Sequence, residues 1–339
     1  MNDNLNYYIS IYFKDYLPKV IGVSKNTLLS YRDTFLILLE YLENKLNKNI
    51  NKLKINDITS NEIRSFLNFL EENKHNSIST RNQRLAAIHS FYKFLKTKEL
   101  SYLDLFTQIL SIPFKKAPKN TITYFSKDEI SILINCPNAL TKNGYRDYVL
   151  LLLMYETAAR VQEICDIKRH SIQFKETYTY VTITGKGNKT RTVPINSDLS
   201  LILKDYFDTF KISNDDYLFK NKNNNKLTTK GISYIFSKYV HKSQNSYPEK
   251  FKEHYSPHSM RHSKAMHLLE SGVNLIYIRD FLGHESVITT EIYAKANPVV
   301  KEKQIIEHAY NITNDSKYTD NTKEELLNFL KTLWEVNKD

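Results

Sequence analysis

The hydrophobic pattern of this chain follows a helical period over most of its length and changes to strict alternation in one stretch. Apolar residues recur at three- and four-residue steps over residues 24–47, 59–73 and 77–100. Residues 179–195 instead alternate on either side of a Gly-Lys-Gly-Asn turn, which is typical of a β-hairpin. Only 7 glycines and 8 prolines are available for turns. The sequence therefore predicts a mainly α fold with a small β-hairpin or sheet.

A chain of 339 residues is longer than a typical single domain with one hydrophobic core, which suggests two domains. Residues 1–112 look helical throughout, with Ser24 and Thr59 or Ser60 as helix caps. Residues 113–125 hold two prolines and three lysines without periodicity, and we interpret them as a flexible linker. A second domain, residues 126–310, begins with a capped helix and contains a long apolar helix predicted over 146–167.

The final segment, residues 311–339, has the pattern of a separate amphipathic helix. Thr322 and Glu325 have the spacing of a capping box. Five apolar residues fall on one stripe of that helix: Leu326, Leu327, Leu330, Leu333 and Trp334. Such a stripe has to be buried, either on the same domain or on a neighbouring subunit.

The net charge of +11 indicates a polyanionic partner, with nucleic acid as the first candidate. The alternative is lysine enrichment through an AT-rich coding sequence. Residues 297–339 contain six basic and eight acidic residues, so the excess charge belongs to the rest of the chain. Arg81, Arg84, Lys93 and Lys96 mark candidate basic faces on the helix predicted over 77–100.

Cysteine usage and hydropathy indicate the cellular compartment of the protein. Cys136 and Cys165 have no metal-binding or disulfide spacing, which is typical of a reducing compartment. The longest apolar run, residues 148–155, is far shorter than a membrane span. We expect a cytoplasmic protein without a membrane partner.

Several polar residues interrupt the apolar patterns. Arg160 follows a very apolar helix, and Glu163 is placed to hold it by an ion pair. Lys186 occupies the tip of the hairpin, where glycines allow close approach to a backbone or phosphate. Taken singly, the first pattern is an ordinary ion pair and the second a solvated turn lysine.

The C-terminal third adds a second group of polar residues. His258 and Arg261 lie one helical turn apart, and His284 follows a glycine at a helix end. Tyr293 comes nine residues after His284. The spacing of His262 and His267 does not form a zinc triad with an acidic residue.

Together these residue types suit chemistry on a phosphodiester. Two arginines can bind its non-bridging oxygens and neutralise transition-state charge. A tyrosine can attack phosphorus and form a covalent ester, while histidine and lysine move protons. Such a site needs no metal, ATP or other cofactor, because the bond energy is kept in the ester.

Four motifs in this order resemble the tyrosine recombinase (phage integrase) family. TAARVQEI is similar to its first-arginine motif, GKGNKTRTVPI to its hairpin, SPHSMRHSKAMHLLESG to its His-x-x-Arg motif, and LGHESVITTEIYA to its final motif. The catalytic domain carries the resemblance, whereas residues 1–112 match the helical, SAM-like core-binding domain in length and type only.

The resemblance implies a role for each motif residue. Arg160 and Arg261 would bind the phosphate, with Glu163 as the supporting acid. Lys186, or as a second choice Lys189, would be the general acid. His258 and His284 complete the set around the nucleophile Tyr293. This chain departs from the family pattern at Ala158 and Ala159, where glycine and leucine are usual, and at Lys295, where histidine is common.

The implied function is site-specific DNA recombination through a 3′-phosphotyrosyl intermediate, of an integrase or transposase kind on a mobile element. The implied partners are double-stranded DNA with specific recombination sites and a homo-tetramer, alone or with a related recombinase, associated with the nucleoid. Two alternatives remain open at this point: a type IB topoisomerase, which rejoins the original strand, and an accessory protein that binds DNA without cutting it.

Overall fold

The computed structural model describes residues 3–118, 122–251 and 253–296, with the backbone alone at Lys186, Lys295 and Ala296. It also describes Glu324, Leu327, Asn328, Leu330 and Lys331. The chain divides into two compact units, residues 1–120 and 121–339. The fold is mainly α with one small sheet, as the sequence predicts. Within the described ranges, no helix is long and apolar enough to cross a membrane.

The first unit is built from helices. They are α1 (Leu5–Ile11), a π-type segment (Tyr12–Ile21), α2 (Lys25–Leu46), α3 (Ser60–Glu72), α4 (Ile78–Lys96) and α5 (Leu103–Leu110), with 3₁₀ turns at Ile50–Lys52, Ile55–Asp57 and Leu100–Tyr102. The predicted caps are confirmed, because the Ser24 hydroxyl accepts from the Thr27 N–H and Thr59 forms a capping box with Glu62.

The core of this unit is rich in aromatic rings, and α4 contributes much of it. Phe91, for example, makes edge contacts with Tyr12 and Phe35 at 5.1 Å between centroids. Lys93 and Lys96 are exposed, as predicted for a basic face. The prediction was wrong for Arg81, which is buried and donates to the Pro113 carbonyl oxygen at 3.2 Å. Its charge faces Glu71 at 3.6 Å.

The second unit packs helices around a small sheet. Its elements are α6 (Lys127–Asn135), α7 (Lys142–Thr157), α8 (Val161–Asp166), β1 (Ile172–Phe174), β2 (Thr179–Thr184), β3 (Thr190–Ile195), α9 (Ser197–Phe210), α10 (Thr229–Ser246), α11 (Pro257–Glu270), α12 (Leu275–Leu282) and α13 (Glu291–Ala296). Short 3₁₀ turns lie at Arg169–Ser171, Lys186–Asn188 and Val287–Thr289.

The predicted hairpin is confirmed as β2 and β3, with Val181 opposite Val193 and Thr184 opposite Thr190. One face of this hairpin is buried through Val181, Ile183 and Val193. The short strand β1 joins β2 antiparallel, so the sheet order is β1-β2-β3. Only three residues long, β1 leaves no readable alternation in the sequence.

The long helix predicted over 146–167 is wrong, because the chain breaks between α7 and α8. Ala158 adopts the left-handed conformation, with φ +46° and ψ +30°, and ends α7. Arg160 is extended and caps α8, and its N–H donates to the Glu163 carboxylate at 2.8 Å. The apolar pattern continues across the break because both helices face the same core.

The two ends of the predicted linker contact different units. Lys115 pairs with Glu71 at 2.8 Å in the first unit. In the second unit, Phe125 stacks on Tyr255 with centroids 3.9 Å apart. The described residues of this segment, 113–118 and 122–125, form neither helix nor strand. The domain boundaries read from the sequence stay predictions.

The amphipathic helix expected over 311–339 falls largely outside the described residues, and so do its Thr322–Glu325 capping box, Leu326, Leu333 and Trp334. The described positions of that segment are helical. Leu327 and Leu330 are exposed there.

Candidate active site

Arg261 lies in α11 and joins the ends of two other helices. Its Nη1 donates to the Ala158 carbonyl oxygen and its Nη2 to the Leu282 carbonyl oxygen, both at 2.6 Å. Burial, followed by the charges of Arg160 and Arg191, lowers the pKa of Arg261 to about 10. The side chain therefore stays charged at neutral pH while it is almost fully buried.

Glu163 is the buried carboxylate that holds two other arginines. Its Oε1 accepts from Arg160 Nη1 at 2.9 Å, and its Oε2 accepts from Arg191 Nη2 at 2.7 Å. Burial acts to raise the pKa of Glu163, but the bonds from Arg191 and Arg160 outweigh it and keep that pKa below its ordinary value. The Arg160 side chain remains 40% exposed, although one nitrogen of its guanidinium is held by Glu163.

Arg191 connects three of the sequence motifs. It lies on β3, bonds to Glu163 of the first-arginine motif, and donates through Nε to the Phe281 carbonyl oxygen at 3.0 Å. Its side chain also lies against Gly283, where an added Cβ would meet Arg191 Cδ at 3.0 Å. Gly283 has φ +65° and ends α12 directly before His284.

The hairpin tip places Lys186 in the turn between β2 and β3. The Lys186 side chain lies outside the described residues, so its predicted role as general acid stays a prediction. Gly187 in the same turn has φ +74°, a conformation that favours glycine. Lys189, the second choice for that role, instead pairs with Glu285 at 2.5 Å on the surface.

Tyr293, on α13, is only 1% exposed and packs with Ala158, Met266 and Leu282 in a small core of its own. Its hydroxyl forms a hydrogen bond with His262 Nδ1 at 3.0 Å. Burial raises the pKa of the Tyr293 phenol, while the charges of Arg261 and Arg160 act to lower it. The hydroxyl is therefore neutral and lies in the field of both arginines.

Three histidines near this tyrosine are neutral at physiological pH. Burial, then Arg261, Arg160 and Arg191, lowers the pKa of His284 to about 4, and its Nδ1 shares a hydrogen bond with the Thr290 hydroxyl at 2.9 Å. His258 lies at the surface, and partial burial of its ring, with the charges of Arg261 and Arg160, lowers its pKa. Burial, His258 and Arg261 lower the pKa of His262 to about 4.

The arrangement joins Arg160, Glu163, His258, Arg261, His284 and Tyr293 into one electrostatically coupled group. The sequence reasoning missed Arg191 and did not assign His262 to the site. A weak signal for His262 was its position directly after Arg261 on a helix. In the part of the chain that the structure describes, no group of three or more His, Cys, Asp or Glu side chains is placed to hold a metal ion.

Comparison with known proteins assigns the chain to a family. Residues 123–299 match the phage integrase family, and residues 11–99 match the N-terminal SAM-like domain of phage integrases. The chain therefore belongs to the phage integrase family. It is a site-specific DNA recombinase of the tyrosine recombinase class.

Two relatives are similar to this chain over most of its length and most of their own. A Sinorhizobium fredii protein that carries the name integrase/recombinase y4rC is 30% identical over 95% of this chain and 96% of its own. The tyrosine recombinase XerC of Staphylococcus aureus is 27% identical over 83% of this chain and 93% of its own.

Solved structures show the same fold. The Tn1549 transposon integrase in complex with transposon right end DNA has a TM-score of 0.68 at 16% identity, covering 91% of this chain and 100% of that chain. The XerH site-specific recombinase bound to difH has a TM-score of 0.62 at 23% identity, covering 84% of this chain and 78% of that chain.

Proposed function

We propose that this chain cleaves duplex DNA by attack of Tyr293 on a scissile phosphate, and rejoins it to a second duplex. The observation that carries the proposal is that Tyr293 packs with Ala158 and Leu282, whose carbonyl oxygens accept hydrogen bonds from Arg261. The charges of Arg261 and Arg160 therefore act on its hydroxyl. A buried tyrosine in an ordinary core needs no cationic neighbours. Two guanidinium groups beside a hydroxyl suit a phosphodiester, because they can bind its non-bridging oxygens.

In this mechanism Arg160 and Arg261 divide the binding of the phosphate. Arg261 uses two of its five N–H donors on carbonyl oxygens, which leaves three for the substrate. Glu163 holds Arg160 Nη1, and the remaining guanidinium N–H groups of Arg160 bind the second non-bridging oxygen. Both guanidinium groups are held before DNA arrives, so they stabilise the transition state without reorganising.

The bond changes balance without a cofactor. The Tyr293 oxygen bonds to phosphorus, and the bond from phosphorus to the 5′ oxygen breaks. The phenol proton leaves to a base, and the 5′ oxygen takes a proton from Lys186, with His258 and His284 donating hydrogen bonds to the phosphate. The freed 5′ hydroxyl then attacks the phosphotyrosine of the partner duplex by the reverse steps.

The proposed assembly is a tetramer on double-stranded DNA with specific sites, formed by this chain alone or with a related recombinase. We place this assembly in the cytoplasm, at the nucleoid. The stoichiometry supports a tetramer, since exchanging two duplexes requires four strand cuts and each chain supplies one Tyr293. The exposed Leu327 and Leu330 support docking of the C-terminal helix on a neighbouring subunit. Deleting residues 297–339 should then abolish synaptic assembly, measured by mass photometry on DNA, while single-site binding persists.

We propose that the DNA on which this chain acts belongs to a mobile element. The similarity to a relative named integrase/recombinase supports this proposal. Excision would leave a circular junction of the element ends. Sequencing across that junction, in cells with wild type and with Tyr293→Phe, tests the context. Equal junction counts in both strains would contradict it.

A suicide-substrate assay tests the chemistry. Wild type and Tyr293→Phe are incubated with nicked duplexes from the flanks of the native locus and then run on a denaturing gel. We expect a slow covalent band from wild type alone. Binding by both without a band, on these duplexes and on random genomic fragments, would favour an accessory protein. Relaxation of supercoiled DNA without strand exchange would favour a topoisomerase.

A further inference from the structure

The hydrogen bond between His262 and Tyr293 points to a residue that the sequence motifs do not assign. We propose that His262 takes the phenol proton through Nδ1 when Tyr293 attacks phosphorus. This inference rests on the proposed function, because it requires Tyr293 to be the nucleophile. It makes His262 a catalytic residue, since Nδ1 lies 3.0 Å from the reacting oxygen.

The fold gives His262 a fixed position relative to the nucleophile. It follows Arg261 directly on α11, so one helical turn presents both the phosphate-binding guanidinium and the imidazole. Helix α11 packs on α13, and the rings of His262 and Tyr293 lie 5.7 Å apart at 56°. With Tyr293 only 1% exposed, bulk water does not reach the phenol to take its proton.

The neutral charge state of His262 allows its ring to accept a proton. Burial, His258 and Arg261 keep its ring neutral at physiological pH. A neutral imidazole with its proton on Nε2 leaves Nδ1 free to accept from the phenol. As the phenol approaches phosphorus, the charges of Arg261 and Arg160 and the phosphoryl bond favour loss of its proton. The step then moves one proton from Tyr293 Oη to His262 Nδ1 as the new ester bond forms.

The two histidines in the family motifs are less well placed for this step. The Nδ1 of His284 shares a hydrogen bond with the Thr290 hydroxyl. The centroid of the His258 ring lies 6.5 Å from that of His262, and His258 lies at the surface. Both suit contacts to the phosphate better than removal of a proton from a buried phenol.

The same helix supplies a matched control. His267 is buried, whereas His262 is half-buried. The His267 Nδ1 shares a hydrogen bond with the Tyr155 hydroxyl at 2.8 Å. Burial and Lys127 also lower the pKa of His267 to about 4. In both pairs a histidine on α11 forms a hydrogen bond through Nδ1 with a tyrosine hydroxyl. Only the His262 pair contains the proposed nucleophile.

The experiment measures the single-turnover rate of covalent complex formation on nicked duplexes from the native locus. His262→Ala removes the acceptor, and His262→Asn keeps an amide oxygen near Nδ1 that can hold the phenol but cannot take its proton. A second substrate replaces the bridging 5′ oxygen with sulfur, whose thiolate leaves without protonation. Lys186→Ala and His267→Asn are the comparison variants, and DNA binding and urea unfolding verify that each variant is folded.

We expect both His262 variants to be slower than wild type by about 100-fold or more on both substrates. Lys186→Ala should be slow on the oxygen substrate and restored by sulfur, because it acts on the leaving group. His267→Asn should keep the wild-type rate.

Four outcomes would overturn the inference. They are a wild-type rate in His262→Ala, a faster rate in His262→Ala, a full rate in His262→Asn, and recovery of the His262 variants on the sulfur substrate. A wild type that forms no covalent complex on either substrate would overturn the proposed function itself.

Discussion

The guanidinium of Arg261 donates to the carbonyl oxygen of Ala158 at 2.6 Å, and Ala158 is the residue at which α7 ends. A residue proposed to bind the phosphate thus also satisfies a buried carbonyl at a helix end. The next residues along the chain are Ala159 and Arg160, so this bond helps to position the second arginine that we propose to bind the phosphate. The two arginines are coupled through backbone geometry as well as through charge.

Ala158 should tolerate glycine better than its neighbour does. The left-handed conformation costs a non-glycine residue about 1 kcal/mol, and Ala158 has φ +46°. We expect Ala158→Gly to raise the free energy of unfolding by up to about 1 kcal/mol. Ala159→Gly, at a position without positive φ, should lower it by about 1 kcal/mol. Urea unfolding of both variants measures the difference, and the same sign for both would contradict the backbone argument.

Arg191 should be a positioning residue for Arg160. Removing its side chain by Arg191→Ala leaves Glu163 with one arginine and frees the Phe281 carbonyl oxygen. We expect a loss of about 2 kcal/mol in stability and a cleavage rate lower by about tenfold to hundredfold. The measurements are urea unfolding and single-turnover cleavage at saturating DNA.

A matched arginine separates this effect from simple loss of charge. Arg279 pairs with Asp280 near the surface, and Arg279→Ala should change stability by less than about 0.5 kcal/mol. Equal effects of Arg191→Ala and Arg279→Ala would argue against a positioning role.

Two glycines with similar backbone angles should respond differently to alanine. Gly22 has φ +68° with nothing within 4 Å of an added Cβ, so Gly22→Ala should cost about 1 kcal/mol of backbone strain. Gly283 has φ +65° and the pinned Arg191 side chain 3.0 Å away. We expect Gly283→Ala to cost more than Gly22→Ala in thermal unfolding and to slow cleavage. A smaller cost at Gly283 would show that Arg191 moves freely.

The neutral histidines predict how stability depends on pH. The pKa values of His262, His267 and His284 are lowered to about 4 in the folded chain, against an ordinary value near 6.5. Between these values the unfolded chain binds protons that the folded chain does not. Stability should therefore be fully present above pH 6.5 and fall as the pH drops toward 4.

Each of these histidines should contribute about 1 kcal/mol between pH 7 and 5, after allowance for partial exposure. Urea midpoints at several pH values, followed by circular dichroism, measure the slope. His267→Asn should reduce that slope, because one titrating group is removed. A flat profile in the wild type would contradict the lowered values.

The sequence predicted contacts that depend on neighbours along the chain. Glu163 lies three residues from Arg160, and their ion pair follows from the spacing between a helix N-cap and its third helical residue. Arg191 and His262 could not be placed in this way, since their partners Glu163 and Tyr293 are 28 and 31 residues distant. Such pairs exist only after the hairpin and the last helices have packed.

The break between α7 and α8 shows a different limit. Apolar periodicity continues through Ala158, and alanine is a strong helix former, so local preference favours one helix. The bond from Arg261, 103 residues later, stabilises the left-handed turn against that preference. Alanine stands where the motif that this stretch resembles usually has glycine, so no local residue type marks the end of the helix.

The two bonds from Arg261 to carbonyl oxygens have a genetic consequence. An allele that replaces this arginine would lose catalysis and also leave buried carbonyls unpaired, so the cell's proteases would reduce its abundance. An allele with Tyr293→Phe loses one hydroxyl, and we expect its product to stay folded and to bind DNA. When each is expressed beside the wild type, the first would behave as recessive. In the tetramer proposed above, the second would enter mixed assemblies and inhibit them in a dominant manner.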